Sequence, residues 1–212
     1  MKNTVLKILI ISISIIASNN LFSQFSGEIS FKKTTGTNEI NYIYYINNDN
    51  IKIEEINSEE KIEGIKLINL ASKKINILSP ERKLYIESNQ MRGPAEVKVK
   101  VEKTDKTKII LDKECQKIIV TCKDQDRKVI YWLTKGDYNF FLPMLELINR
   151  REKHAVYYQQ ISNLKGQWPM KSSEYVLSTG KLISEMTTSS IVNKEVKPEV
   201  FMIPSDYELF KD

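Results

Sequence analysis

Ile40-Asn41-Tyr42-Ile43-Tyr44-Tyr45-Ile46-Asn47-Asn48-Asp49-Asn50-Ile51-Lys52-Ile53-Glu54-Glu55-Ile56 is the stretch on which the fold turns. Two runs rich in isoleucine and tyrosine, side chains suited to a pleated sheet, flank short polar residues that tolerate turn geometry. That unit is a β-hairpin, and its two strands are antiparallel neighbours. The same rhythm extends both ways along the chain. Strands are expected over residues 27–34, 40–46, 50–56, 62–70, 74–78, 83–87, 96–101, 113–122, 128–134, 171–177 and 181–188. Lys123-Asp124-Gln125-Asp126-Arg127 and Ser178-Thr179-Gly180 supply further turns of hairpin length.

Alternation is clean in Val97-Lys98-Val99-Lys100-Val101, giving one apolar and one solvated face. In residues 40–46 and in Ile130-Tyr131-Trp132-Leu133, apolar groups point both ways, so those strands need cover on both sides. Residues 140–148 break the strand period: Phe141, Leu145 and Ile148 fall at helical spacing, with Asp137 or Asn139 available as a cap and Pro143 in the first turn. A weaker helical pattern runs through Val156, Tyr157, Gln160, Ile161 and Leu164. The expectation is a mainly β (α+β) domain with a helical insertion and no internal repeat.

The chain has 212 residues, 41% hydrophobic and 28% charged, which suits one globular domain and excludes both disorder and a polytopic membrane protein. Residues 1–24 carry Lys2 and Lys7, an apolar run from Ile8 to Ala17, then small and polar residues, the pattern of a secretory signal peptide. The run is about half of what a membrane span needs. The expected division is a signal peptide over residues 1–24 and a single exported domain over residues 25–212, placed in the periplasm. Without its leader the chain loses two lysines and no acid, so 32 basic residues become 30 against 27 acidic ones, a net of +3. Only five of the basic residues are arginine, the side chain that phosphate and base recognition favours, so nucleic acid is not an expected partner.

Cys115 and Cys122 lie seven residues apart on one expected strand, an odd offset that places them on opposite faces about 23 Å apart. A disulfide needs Cα atoms about 5–6 Å apart, so two reduced, buried thiols are expected. Catalytic chemistry is sparse. The single histidine, His154, sits among charged residues and reads as solvated; Glu54-Glu55, Glu59-Glu60 and Asp124/Asp126 read as surface carboxylates. No phosphate-cradling glycine loop, nucleophile elbow or Cys-x-x-Cys is present, so no catalytic residue, metal or cofactor is assigned. Lys98, Lys100, Lys103, Lys106 and Lys108 form a stripe that either meets anionic headgroups in a transient membrane contact or keeps a sheet edge soluble. Tyr42, Tyr44, Tyr131, Phe140, Phe141, Leu145 and Trp168 are the candidate lining of an apolar ligand site; the same residues serve equally as ordinary core.

The order of several short motifs resembles a family of exported Bacteroidota proteins defined as a domain of unknown function. Those motifs are Phe25-Ser26-Gly27-Glu28-Ile29, Pro80-Glu81-Arg82-Lys83-Leu84-Tyr85, Glu114-Cys115-Gln116-Lys117-Ile118, Tyr131-Trp132-Leu133-Thr134-Lys135, Gly166-Gln167-Trp168-Pro169-Met170-Lys171 and Phe201-Met202-Ile203-Pro204-Ser205-Asp206-Tyr207. That family is in turn similar to the LolA-like lipoprotein-carrier superfamily. The resemblance implies a strongly curved antiparallel sheet forming an unclosed barrel, with helices over its concave face. It also implies a non-enzymatic, monomeric protein that binds a lipid, an acyl chain or another hydrophobic molecule there. The charged stretch at residues 150–154 departs from the family's more apolar pattern. The alternative is an envelope structural or interaction module whose aromatic residues fill a solid core.

Overall fold

A computed structural model describes residues 24–88, 96–149 and 151–210. The expected signal peptide therefore lies outside the described residues, apart from Gln24. Twelve strands appear: β1 (Gly27–Thr35), β2 (Asn38–Asn47), β3 (Asn50–Ile56), β4 (Ile62–Asn69), β5 (Lys74–Ser79), β6 (Leu84–Ser88), β7 (Lys100–Ile110), β8 (Lys113–Cys122), β9 (Arg127–Lys135), β10 (Gln167–Val176), β11 (Leu182–Asn193) and β12 (Glu208–Leu209). Two short helices, α1 (Phe141–Ile148) and α2 (Lys153–Tyr158), fill the connection between β9 and β10. A 3-10 turn, Pro198–Phe201, precedes β12.

All twelve strands lie in one sheet, in the order β12-β6-β5-β4-β3-β2-β1-β11-β10-β9-β8-β7. Hairpin connections put consecutive strands side by side, and β1 closes onto β11 through the pairs Gly27 with Asn193 and Phe31 with Thr188. The expected unclosed barrel is corrected by this order. The sheet is open, neither closed nor strongly curled, and β7 and β12 stand at opposite edges. It is also mixed, because β12 runs parallel to β6. Hairpin-length turns dictate which strands pair, but the curvature of a sheet depends on bulges and on what packs against each face, which periodicity does not carry.

One core occupies the face under the helices and joins Ile29, Phe31, Tyr44, Ile53, Val120, Tyr131 and Met170 to Phe141, Met144 and Tyr158. A smaller cluster of Ile65, Leu67 and Leu78 is packed by Tyr85, Ile203 and Tyr207, so the C-terminal segment covers it. Strand β4 serves both clusters: Ile65 and Leu67 face the small one, and Ile68 faces the large one.

Some boundaries differ from expectation for identifiable reasons. The strand expected at residues 96–101 starts at Lys100 and runs to Ile110; only Val101 and Ile110 of it pack against the main core, so the charged edge between them carries no apolar alternation. No side chain caps α1: Phe140 occupies the cap position, and Asp137 and Asn139 do not bond there. The helix ends instead on Asn149 in the left-handed conformation, whose N–H donates to the Leu145 carbonyl. The second helix lies earlier than its pattern suggested, at Lys153–Tyr158.

Candidate functional site

Between the sheet and the two helices lies an apolar chamber. Phe31 and Tyr44 line it from β1 and β2, Tyr131 from β9, and Phe141, Leu145 and Tyr158 from the helices, with Trp168, Ser172 and Met186 from β10 and β11. The rings interlock. Phe141 lies 4.6 Å from Trp168 and 5.1 Å from Tyr158, centroid to centroid, and Phe31 packs edge-on to Tyr44 at 5.0 Å. The remaining space is about 50 Å³. Ligand cavities generally run from about 300 to 1,000 Å³, so this one holds a few water-sized groups and no acyl chain. Wider depressions of about 430 and 470 Å³ open on the surface along β7 and β8, where lysine, glutamate and threonine side chains alternate with Leu133 in one and with Val99 and Leu177 in the other.

Of the candidate lining residues, Tyr44, Tyr131, Phe141, Leu145 and Trp168 are brought together around the chamber. Tyr42 and Phe140 are not part of its wall. Tyr42 stacks on the far side of Phe31 at 4.9 Å, and Phe140 packs against Phe25 and Trp168.

Sequence reasoning missed the polar side of this site. His154 was expected in solvent but is 6% exposed. Its Nδ1 lies 2.8 Å from Ser172 Oγ and its Nε2 2.8 Å from Ser184 Oγ. Ser184 donates to Glu174 Oε2, so its oxygen accepts from Nε2–H, and Ser172 donates to Nδ1. Arg127 closes the chain on Glu174 at 3.3 Å. Burial, reinforced by the nearby Lys33 ammonium, pushes the imidazole down to about 4, so it is neutral at physiological pH. Tyr131 donates to the His154 carbonyl at 2.8 Å, and burial holds its hydroxyl well above the ordinary phenol range. The signal was present in the spacing: His154, Tyr157, Tyr158 and Ile161 form one helical stripe, masked by the charged Glu152 and Lys153 beside it.

A serine hydroxyl bonded to an imidazole has the spacing of a nucleophile and its base. Here Ser172 is 3% exposed and the adjoining space is about 50 Å³, so there is little room beside Oγ for a substrate carbonyl. No catalytic constellation forms among the described residues, and no group of three or more His, Cys, Asp or Glu side chains there is placed to hold a metal.

The other acidic pairs divide. Glu54 is buried rather than solvated, held by Lys52 at 2.7 Å and by the Tyr45 hydroxyl, whose own pKa rises to about 12 through burial and the neighbouring carboxylates Glu54 and Glu28. Glu59 and Glu60 lie in an exposed turn, and Asp126 accepts from the Ser178 N–H and hydroxyl. Cys115 and Cys122 are both free and buried, and burial raises the Cys115 thiol.

An open, mostly antiparallel sheet with a two-helix insertion between β9 and β10 defines a mainly β domain. More particularly, the chain belongs to the family described as a domain of unknown function, DUF4412, whose model matches residues 25–207. No curated protein matches it. Among solved structures, an uncharacterised conserved protein from Thermus thermophilus is similar with a TM-score of 0.53 at 9% identity, over 87% of this chain and 90% of that one. A LolA superfamily protein from Nitrosomonas europaea is similar at 12% identity over 86% and 91%, with a TM-score of 0.31. A DUF1329 family protein from Desulfovibrio piger gives 10% identity over 86% and 91%, with a TM-score of 0.36. The first of these likenesses is one of fold alone, and the other two are too low to bear on function.

Proposed function

We propose that this protein is an exported, non-catalytic β scaffold that acts through its surfaces, with an interior filled by its own aromatic side chains. The observation that carries this reading is the chamber volume of about 50 Å³ beneath α1 and α2. Phe141, Trp168 and Tyr158 occupy the room that a bound chain needs, and ring pairs of this kind contribute about 0.5–1.5 kcal/mol each beyond their buried area. Every buried side-chain polar atom among the described residues has a hydrogen-bond partner, so the interior holds no donor or acceptor waiting for a ligand.

A second reading, a carrier of a lipid or other hydrophobic molecule, is favoured by one feature: the largely apolar chamber lies between the sheet and two short helices. Admitting an acyl chain there requires α1 to leave Trp168 and Tyr158. Native mass spectrometry of protein purified from its own envelope, together with titration of a fluorescent sixteen-carbon fatty acid, separates the two readings. The scaffold reading expects the bare chain mass and no saturable binding. A bound lipid at 1:1 stoichiometry, or saturable binding lost in Leu145→Glu, overturns it in favour of the carrier.

A further inference from the structure

The opposite face of the same sheet carries a feature that the interior does not explain. Strand alternation sends Tyr131 and Leu133 into the core and Ile130 and Trp132 out through the other side. Cross-strand register then sets Lys117 of β8 and Lys171 of β10 on either side of Trp132. Lys108 of the edge strand β7 completes the group, its ammonium 4.2 Å from the centre of the indole, with Lys117 at 6.0 Å. Four residues along β9 from Trp132, and on the same face, Lys128 lies 5.2 Å from the ring of Tyr175, its register partner on β10. Lys171 is paired with Glu185 at 2.8 Å, whereas Lys108, Lys117 and Lys128 make no ion pair among the described residues. Burial chiefly, and the Lys171 ammonium after it, lower the Lys108 pKa, with Cys115 and Glu185 opposing them.

We propose that this face, centred on Trp132 with Lys108 and Lys117 around it and Lys128 further along β9, docks the protein onto an anionic lipid bilayer. The chemistry favours a bilayer over other anions. Lysine is a point charge without the fork that selects a single phosphate or base, so spread-out lysines suit a diffuse negative surface. An indole framed by ammonium groups matches the headgroup level of a membrane, where one part of the ring is wet and another apolar. Ile119 and Ile130, half-buried on the same face, give that contact an apolar floor. Arrival of anionic headgroups relieves the repulsion among the lysines. The inference stands whether or not the interior takes a ligand, because the chamber lies on the other side of the sheet.

The test is co-sedimentation of the protein, purified from its exporting host, with 3:1 phosphatidylcholine–phosphatidylglycerol vesicles and with phosphatidylcholine alone. Binding is expected only to the anionic vesicles, to weaken with salt, and to fall about 25-fold or more in K108E/K117E, since each lysine at the surface is worth roughly a fivefold change. Lys61→Glu with Lys73→Glu, two exposed turn residues, alters net charge equally and should retain more binding than K108E/K117E; circular dichroism confirms that both variants fold. Trp132→Ala should lose binding that Trp132→Phe partly keeps. Three results overturn the proposal: no preference for anionic vesicles, equal loss in both charge-reversed variants, or binding abolished by inorganic phosphate at constant ionic strength, which would make the face a site for a free anion.

Discussion

His154 shows how a residue's neighbours in sequence mislead about its neighbours in space. Its imidazole titrates near the ordinary 6.5 in the unfolded chain and near 4 in the fold, mainly because burial disfavours its charge. Between those values the unfolded chain takes up a proton that the native state refuses. Stability from this group is therefore complete above about pH 6.5 and falls as pH drops toward 4. The expected loss is about 2 kcal/mol between pH 7 and pH 5, read as a falling urea midpoint, and His154→Gln should flatten the profile over that window. Equal slopes for wild type and variant would show that other groups govern the acid limb. The aromatic half of the site was legible because tyrosine and phenylalanine on strands and helices announce burial. The serine–histidine half was not, since Ser172, Ser184 and His154 come from three separate elements and only the fold joins them.

Where β9 hands over to β10, the backbone makes its own demands. Gly166 adopts φ +69°, and its carbonyl accepts from the Gly136 N–H at 2.7 Å. A Cβ at this position would meet the Gly136 carbonyl oxygen at 2.4 Å. Gly180 has nearly the same φ, +71°, with open space around it. Gly180→Ala is expected to cost about 1 kcal/mol, the price of the left-handed backbone alone. Gly166→Ala adds a backbone collision and should cost about 2–4 kcal/mol in denaturant unfolding. Equal costs would mean that the loop simply moves aside. Elements with two-residue alternation, a run of isoleucine and tyrosine ending in turn residues, or a three-to-four-residue stripe were readable, as β3, β2 and α1 show in turn. Strand β7 was only partly so: Glu102, Lys103, Asp105, Lys106 and Lys108 look like a loop, yet an edge strand needs such residues to stay soluble. A bulge between Lys103 and Thr107, where the Thr104 hydroxyl donates to the Lys117 carbonyl, further blunts that edge.

At the scale of the whole molecule, the sheet has two apolar faces of unequal size, and the C-terminal segment makes the smaller one tenable. Ile203 and Tyr207 pack over Ile65, Leu67 and Leu78, while the N–H groups of Glu208 and Phe210 donate to the carbonyls of Lys83 and Tyr85 at 2.9 Å. The two-residue strand β12 thus shields part of β6, whose Ile86 is already 42% exposed. No periodicity in so short a segment signals a strand, and its parallel pairing with β6 follows from a long return across the sheet rather than from a turn. Ending the chain at residue 197 should therefore uncover the small cluster and free the β6 edge together. Partial exposure of three aliphatic side chains sets the expected loss at about 2–4 kcal/mol in urea unfolding, with new binding of a hydrophobic dye and concentration-dependent self-association through the bare edge. Lys83→Ala removes only exposed contacts, to Asp206 at 3.1 Å and to the Tyr207 ring, and should leave the urea midpoint close to that of the wild type. If the shortened chain keeps the wild-type midpoint and binds no dye, the segment is an ornament and the cluster beneath it is stable without cover. If Lys83→Ala alone matches the truncation, surface electrostatics rather than apolar cover holds the segment down.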